Sequence, residues 1–409
     1  MSGILDQTTN LRAVYLWHAG NSEVPSLFHE WAFYTLVAAC VQDRVFVRKF
    51  SHARLVPNLY TFLVGPPGLG KGEAVDLCLS YATRLPIDTF NGMITAQALL
   101  EQLGAPKASG RVFLVTEELG MSVGDGPAAR DFVKHMTGLY KGADYPLVKR
   151  TVTGANAKIS NYRICWLAGT TIAWLIESVP RSAIEGGFLG RAIIVRGHYD
   201  LNLRLTRPEY PADWNDCQLL LYDRLLELTT LAGEFEVDDE ARAIEHEWYT
   251  KRPAPTEENL VPSWKREHDQ VLKLAMILAL CDSPHLVIQA SHMIRAQQTV
   301  GAAMRAVPEI LSAAAVTRET EASTIIEQAI RRAGTIDHSQ LLRRVSSRGI
   351  DANRLRNSIQ DLYEKRRIRI VAIRGAGRRY VWQHRQVQEL PTTDPTDTTT
   401  PDEEERTPQ

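Results

Sequence analysis

The hydrophobic positions of this chain fall into short continuous runs and into longer segments with helical spacing. The runs Tyr60–Val64, Arg111–Thr116 and Tyr162–Thr171 are mostly apolar, as is typical of strands buried on both faces of a parallel sheet. Apolar residues recur at helical spacing in Leu27–Val41 and Glu73–Ala82. Buried strands that alternate with helices predict an α/β fold whose parallel sheet is flanked by helices.

The first strand leads directly into a glycine-rich loop that ends in a lysine. Gly65, Gly68 and Gly70 allow the backbone to curl so that successive N–H groups point inward, and the expected helix after them presents its positive N-terminus. Lys71 adds a cation that can reach terminal phosphates. The pattern predicts a phosphate-binding loop for ATP. Its expected ligands are Gly65, Pro66, Pro67, Gly68, Leu69, Gly70, Lys71, Gly72 and Glu73.

One position departs from the usual phosphate-loop pattern. The residue after the lysine is normally a Ser or Thr whose hydroxyl holds Mg²⁺, and here it is Gly72. Either Glu73 or a water molecule takes that place at the metal, or the site binds the nucleotide and turns it over poorly. The sequence leaves both possibilities open.

Two adjacent carboxylates follow the second apolar run. After a phosphate loop, such a pair predicts that Glu117 supports the Mg²⁺ shell indirectly and that Glu118 polarises the water that attacks the nucleotide. The alternative is a solvated helix start, where acidic residues are also common.

Two further side chains suit a site for phosphoryl transfer. Thr170 or Thr171, at the end of the third apolar run, can contact the γ-phosphate or the attacking water. Arg191 lies between a glycine-rich turn and another apolar run, where it can stabilise the phosphates of a neighbouring subunit. A structural salt bridge is the alternative role for this arginine.

Residues 145–160 alternate around a Gly/Asn turn and predict a β-hairpin that precedes the third strand. Lys149, Arg150 and Lys158 place positive charge on both arms, so the hairpin can contact the phosphates of DNA without regard to its sequence. A surface hairpin with solubilising charge is the alternative.

Residues from about 26 to 300 resemble the helicase-like P-loop ATPases of bacteriophages and integrated mobile elements. The resemblance rests on Val56–Tyr60, Thr116–Gly120, the basic hairpin, Gly187–Arg191 and Trp264–Leu280. It implies a P-loop NTPase sheet of AAA+-like or RecA-like type with a helical lid. It also implies ATPase roles for Lys71, Glu117, Glu118 and Arg191, and makes Arg266 a candidate second sensor of the nucleotide.

Composition indicates a multi-domain protein of the cytoplasm, and the resemblance implies that this is the cytoplasm of a bacterial host cell. The chain has 409 residues, enough for two or three domains, and 44% hydrophobic residues. Its five cysteines are scattered without a Cys-x-x-Cys pair, as expected of reduced core residues. The N-terminal residues lack the pattern of a signal peptide, and no apolar stretch is long enough to span a membrane.

The C-terminal part of the chain is strongly basic although the whole has a net charge of −1. Residues 331–385 contain fifteen Lys and Arg against four Asp and Glu. The pattern predicts a winged helix, with helices at Thr324–Ala333, His338–Arg348 and Ala352–Lys365 and a hairpin wing at Ile368–Trp382. The expected DNA contacts are Arg354, Arg356, Arg374, Arg378 and Arg379. Winged helices also bind proteins, which is the alternative role.

The predicted organisation has five parts. They are an N-terminal helical segment (1–50) with an amphipathic helix at Leu27–Val41 that packs on the core or a neighbouring subunit, an ATPase core (51–205), a helical lid (206–320), the winged helix (321–386) and a disordered acidic tail (387–409). The tail either competes with DNA, docks a partner or only solubilises the chain.

Together these features predict a ring-forming, hexameric DNA helicase or translocase of phage or mobile-element replication that uses ATP and Mg²⁺. Single-stranded DNA would pass through the pore, duplex DNA would bind the winged helix, and other replication proteins are expected partners. The main alternative is an ATP-switched helicase loader or origin-binding protein that does not itself unwind. A DNA-binding regulator with a degenerate ATP site is a third possibility.

Overall fold

The computed structural model describes residues 10–20, 22–49, 53–92, 94–105, 109–119, 126–142, 147–149, 157–159, 162–178, 187–199, 214–348, 350–373 and 377–383. The chain divides into two compact units, residues 1–314 and 315–409.

The first unit contains helices and strands in alternation. The helices are α1 (Leu11–Ala19), α2 (Ser26–Val41), α3 (Lys71–Ala82), α4 (Ala96–Leu103), α5 (Gly126–Leu139), α6 (Ile172–Ser178), α7 (Trp214–Leu228), α8 (Asp239–Lys251), α9 (Val261–Asp282), α10 (Ala290–Met304) and α11 (Ala306–Ala333), which continues into the second unit. The strands are β1 (Val45–Lys49), β2 (Ala53–Leu55), β3 (Tyr60–Val64), β4 (Thr89–Asn91), β5 (Arg111–Thr116), β6 (Leu147–Lys149), β7 (Ala157–Ile159), β8 (Arg163–Thr170), β9 (Ala192–Arg196), β10 (Gly233–Glu234), β11 (Glu236–Val237) and β12 (Val287–Ile288).

A five-stranded parallel sheet forms the centre of this unit. Its strand order is β4-β5-β8-β3-β9, so β8 lies between the strand before the glycine loop and the strand before the paired carboxylates. Val64 pairs with Thr170 on one side and with Arg196 on the other, which brings the carboxyl ends of three strands to one edge. The predicted parallel sheet flanked by helices is confirmed.

Both faces of the sheet are covered, which explains why its strands are apolar at every position. Leu63, Val115 and Leu167 point into a core shared with α2 and α3. Successive residues point the other way, and Trp166 lies fully buried in the second core, against the aromatic rings of Tyr60, Phe62, Phe132 and Phe188. Successive residues of each strand therefore point to opposite faces of the sheet, but both faces are buried.

The helix α2 differs from the predicted amphipathic helix. Every residue from Trp31 to Val41 is buried, because the sheet covers one side of α2 and the helices α1, α3, α7 and α9 cover the others. This N-terminal helix is thus part of the core of the first unit and leaves no apolar stripe for a neighbouring subunit.

The predicted basic hairpin is present in the backbone. β6 and β7 pair antiparallel, with Val148 opposite Lys158 and Lys149 opposite Ala157. Arg150 and the turn, residues 150–156, lie outside the described residues, and the side chains of Lys149 and Lys158 are not described.

The second unit is small and has a core of its own. It contains the end of α11, β13 (Thr335–Asp337), α12 (His338–Ser346), α13 (Ala352–Glu364), β14 (Ile368–Ile373) and β15 (Gly377–Trp382). The three strands form an antiparallel sheet of order β13-β15-β14. Ile326, Leu341, Leu355 and Tyr380 are among its buried residues.

The elements predicted for this C-terminal region are found, with two differences. The first helix begins at Ala306 rather than at Thr324. The strand β13 was not predicted, because only Ile336 of its three residues is buried and so short a segment has no readable period. Arg374 and the predicted tail, residues 387–409, lie outside the described residues.

Two further sequence predictions concern the cysteines and the possibility of a membrane-spanning helix. All five cysteines are buried free thiols, as expected for core residues. Within the described ranges, none of the helices is both long and apolar enough to cross a membrane.

Two buried histidines predict that the protein loses stability in acid. His18 and His29 are 7% and 2% exposed, and burial lowers the pKa of each from 6.5 to about 4. Between these values the unfolded chain binds more protons than the folded chain, so the free energy of unfolding should fall as the pH falls from 6.5 towards 4. Urea denaturation at about pH 7 and about pH 5 measures the fall. A His29→Gln variant should show a smaller fall, and an equal fall would contradict this assignment.

Candidate functional site

The loop between β3 and α3 has the backbone conformation that its glycines permit. Gly68 and Gly70 have φ angles of 77° and 74°, in the left-handed region that other residues rarely adopt. Gly70 is also the N-cap of α3, and no side chain caps the helix. The first-turn N–H groups of this twelve-residue helix are therefore open to a ligand at the positive end of the helix dipole.

Val24, which precedes α2, and Phe28, in the first turn of α2, pack against this loop. A Cβ atom on Gly70 would lie 2.4 Å from Val24 Cγ2, and one on Gly65 would lie 3.5 Å from the ring of Phe28. The loop therefore depends on glycine for close packing as well as for its φ angles. Sequence reasoning missed Val24 and Phe28, since nothing in their local pattern indicates a contact with a loop some 40 residues later.

Lys71 lies over the loop and is 8% exposed. Its Nζ donates hydrogen bonds to the carbonyl oxygens of Gly65 at 2.9 Å and Pro66 at 2.7 Å. Burial lowers the pKa of Lys71, and the negative charge of Glu118 opposes this shift. The predicted cation and one predicted carboxylate are thus close enough to interact.

The carboxylates lie at the end of β5, on the same edge of the sheet as the loop. Glu117 and Glu118 are both exposed, directly after five buried residues of the strand. A Cβ atom on Gly169 would lie 2.3 Å from the carbonyl oxygen of Glu117, so the ends of β5 and β8 are in close contact. The small residue at 169 lets the carboxylate turn approach β8.

Thr116, which precedes the carboxylates, was missed by the sequence reasoning. It is 1% exposed, and its hydroxyl has no hydrogen-bond partner within the described part of the chain. Threonine is β-branched and common in strands, so in the sequence Thr116 looks like an ordinary core residue. Only the unpaired hydroxyl, which the structure reveals, sets it apart.

The structure separates the roles of the two threonines at the end of β8. Thr170 is 2% exposed, and its carbonyl oxygen accepts a hydrogen bond from the N–H of Gly65 at 3.1 Å. Thr171 caps α6, because its hydroxyl accepts a hydrogen bond from the N–H of Trp174 at 3.1 Å. Thr170 is therefore the one that contacts the glycine loop, and it lies between the loop and the carboxylates.

Arg191 and Arg266 lie at the opposite edge of the sheet. Arg191 immediately precedes β9, whose first residue Ala192 pairs with Tyr60 at the start of β3, whereas the glycine loop follows the end of β3. The rise of a parallel strand places the two edges about 17 Å apart. Within this chain the structure does not bring Arg191 to the predicted ATP ligands.

The guanidinium of Arg266 packs on the glycine-rich turn before β9. A Cβ atom on Gly187 would lie 2.8 Å from its Nη1, and Arg266 donates a hydrogen bond to the carbonyl oxygen of Pro262. Burial and, after it, the charge of Arg266 lower the pKa of Arg191. The turn that Arg266 contacts lies at the amino-terminal edge, away from the glycine loop of the same chain, and its role as a second sensor of the nucleotide stays a prediction.

A buried polar network fixes the backbone at Arg191. Gln270 Nε2 donates hydrogen bonds to the Arg191 carbonyl oxygen at 3.0 Å and to the Tyr140 hydroxyl at 2.9 Å. Lys273, which is 2% exposed, donates to the same hydroxyl and to both oxygens of Asn58. The sequence reasoning assigned α9 to a lid and missed these two of its side chains, since a lone Gln or Lys in a helix is usually solvated.

The predicted DNA contacts of the second unit differ in exposure. Arg356 and Arg378 are exposed. Arg379 is exposed but forms an ion pair with Asp337 at 2.5 Å, and Arg354 is partly buried with its guanidinium 3.8 Å from Asp351. Arg356 and Arg378 are thus the side chains best placed to meet phosphates.

No group of three or more His, Cys, Asp or Glu side chains in the described residues is arranged to hold a metal ion by itself. No protein-family model matches the chain, and no curated protein is similar enough to it to count as a relative.

Proposed function

We propose that this protein is an ATP-dependent, ring-forming DNA helicase or translocase of phage or mobile-element replication, acting in the cytoplasm of a bacterial host. One observation carries the proposal. The open first turn of α3, the Lys71 amine, Thr170 and the paired carboxylates all lie at the carboxyl edge of one parallel sheet, where ligands of α/β proteins bind.

In this site each group has one task in the hydrolysis of ATP. The loop N–H groups and Lys71 hold the β- and γ-phosphates, and Lys71 exchanges its two carbonyl contacts for phosphate oxygens. Glu118 accepts a hydrogen bond from the water whose oxygen attacks the γ-phosphorus, and the proton that this water loses passes to Glu118 and from it to the released phosphate. The bond from that phosphorus to the bridging oxygen breaks, which leaves ADP and inorganic phosphate.

The residues at this edge fit a Mg²⁺ ion. Mg²⁺ in nucleotide sites needs only one or two carboxylates besides phosphates and water; the exposed Glu73 would bind the ion, and the exposed Glu117 would support its shell indirectly. When bound, the ion neutralises charge that develops on the phosphates.

Gly72 gives a direct test of the missing hydroxyl. A Cβ atom on Gly72 would meet no atom within 4 Å, so a side chain fits without strain. Gly72→Thr should raise Mg²⁺-dependent ATP turnover, on the order of tenfold, because it restores the usual metal ligand. Gly72→Ala is the matched control and should leave turnover near the parent rate. Equal rates for both variants would show that Glu73 or water already fills the role.

The strand order and the position of Arg191 support assembly into a ring. Arg191 lies about 17 Å from the loop of its own chain, and its Nη1 donates a hydrogen bond to the Gly187 carbonyl oxygen at 2.8 Å, so a role in hydrolysis would have to be at the loop of a neighbour. The buried network of Gln270 and Lys273 keeps its backbone in one place.

Arg191→Ala should impair hydrolysis by about a hundredfold or more while sparing ATP binding. Mixed rings of Arg191→Ala and Lys71→Ala subunits should regain activity, because each subunit supplies the half-site that the other lacks. ATPase assays across mixing ratios measure this. With mixing confirmed by mass, a lack of recovery would place Arg191 in a structural role.

For the second unit we propose a winged helix that binds duplex DNA. The order of three helices and a hairpin, with Arg356 on α13 and Arg378 on β15 both exposed, supports this fold and role. The β6–β7 hairpin of the first unit would contact single-stranded DNA in the pore.

ATPase rates with and without single-stranded DNA test the function as a whole. We expect hydrolysis that DNA stimulates and that continues for many turnovers. The rival function, an ATP-switched loader or origin-binding protein, is favoured by the glycine at position 72. It predicts stoichiometric ATP binding, slow turnover and no strand separation.

A further inference from the structure

A cleft opens at the carboxyl end of β9, beside the glycine loop. The start of α2, the end of β9 and the junction of α10 with α11 enclose a cavity of about 400 Å³. All of its walls belong to the first unit, and none of the ligand or catalytic residues predicted from the sequence lines it.

The cleft and the glycine loop share a wall. A Cβ atom on Gly65 of the loop would lie 3.5 Å from the Phe28 ring, and one on Gly197 after β9 would lie 2.4 Å from it. The N–H of Gly197 donates a hydrogen bond to the Val64 carbonyl oxygen at 2.9 Å. The neighbours of these wall residues, Leu27 and His198, line the cleft. The Tyr199 hydroxyl then donates a hydrogen bond to the Pro67 carbonyl oxygen, which ties this segment to the loop itself. The cleft therefore lies next to the loop, with Phe28 and Gly197 between them.

The chemistry of the walls suits a flat, uncharged ring. Leu27, Val195 and Ala302 present apolar surface, and Gln298 and Thr299 add amide and hydroxyl groups that can pair with the edge of a base. The cavity is within the size range of sites for small molecules.

The charged groups of the cleft largely neutralise one another. Arg196 forms an ion pair with Glu309, and Glu30 forms one with Arg12 at 2.5 Å. His198 and the exposed Arg305 complete the set of titratable groups that line the cleft. A second phosphate or an acidic peptide would need unpaired positive charge on several walls, which this pairing does not provide.

We infer that the cleft binds the base and ribose of the nucleotide whose phosphates lie on the glycine loop. The inference rests on the proposed function and extends it, because it assigns base recognition to α2, β9 and α10. The helix that packs behind the loop thus also forms part of the binding surface. ATP should consequently bind more tightly than tripolyphosphate, which has the phosphates alone.

Filling the cleft tests the inference. Ala302 of α10 and Leu27 of α2 are exposed and line the cleft, so Ala302→Trp and Leu27→Trp each fill the cleft without changing the core. Each should weaken ATP binding by on the order of tenfold and leave tripolyphosphate binding unchanged, as measured by calorimetry on the full chain. Ala243→Trp, at an exposed alanine of α8 outside the cleft, is the matched control and should change neither affinity.

The outcomes separate the base site in the cleft from the proposed ATP-dependent function. If tripolyphosphate binds as tightly as ATP, or if both cleft variants keep the parent ATP affinity, the base site is overturned while the phosphate loop stands. If neither ligand binds the parent protein, the proposed function falls and the base site falls with it. Weakened ATP binding in both cleft variants, with unchanged thermal melting and an unaffected control, supports the site.

Discussion

Lys71→Ala is expected to abolish ATP turnover, with a loss of about three orders of magnitude or more in rate. The Lys71 amine is the cation that the structure places on the loop, where it donates to the Gly65 and Pro66 carbonyl oxygens. Its removal costs both phosphate binding and the stabilisation of charge in the transition state. Steady-state hydrolysis and ATP binding by calorimetry measure the two losses separately.

The fold should survive this change. α3 is held in the core through Val75, Cys78 and Leu79, and none of these contacts involves the lysine amine. Lys251→Ala, on the exposed side of α8, removes a positive charge elsewhere and should leave turnover unchanged. Parent-like turnover of Lys71→Ala would remove the loop from the mechanism.

Glu118→Gln is expected to bind ATP and to leave it unhydrolysed, with a rate loss of about a hundredfold to a thousandfold. The amide keeps the size of the side chain but is a far weaker acceptor for a proton of the attacking water. Glu118 follows β5 at the same edge of the sheet as the glycine loop, and its charge opposes the lowering of the Lys71 pKa by burial. Retention of radiolabelled ATP after gel filtration, together with the hydrolysis rate, measures the trapped state.

Glu117→Gln is the matched control for this prediction, since it makes the same change one residue earlier. It should raise the Mg²⁺ concentration needed for half-maximal activity more than it lowers the maximal rate. If Glu117→Gln is inactive and Glu118→Gln hydrolyses at the parent rate, the assignment of the two acids is reversed.

Local pattern was sufficient for the elements that carry the site. β3, β5 and β8 were predicted because strands buried on both faces are continuous apolar runs, and their ends differ from the predicted ends by a residue or two. The glycine loop was predictable because its conformation depends on residues that are adjacent in sequence. In the second unit, strong helical periodicity made α12 and α13 predictable to within a residue or two.

Local sequence pattern did not predict the burial of residues that are covered by segments distant in the chain. α2 has the composition of a core helix, but its sequence does not say which elements will surround it, and so an amphipathic helix was expected. In the same way Lys273 is buried only because Asn58 and Tyr140, more than 100 residues away in the chain, supply its hydrogen-bond partners. The position of Arg266 was not predictable either, because a resemblance to a family implies a role but does not say on which edge of the sheet the residue lies.

By itself the sequence determined which functional groups are present: a glycine loop with a lysine, two adjacent carboxylates, a threonine after a buried strand and a basic C-terminal region. These depend on residue type and on neighbours within a few positions. Only the tertiary structure decided which of them meet. Parallel strand pairing brings Lys71, Thr170 and Glu118 to one edge, sends Arg191 and Arg266 to the other, and opens a cleft beside the loop, because register and strand order are set by contacts between distant segments.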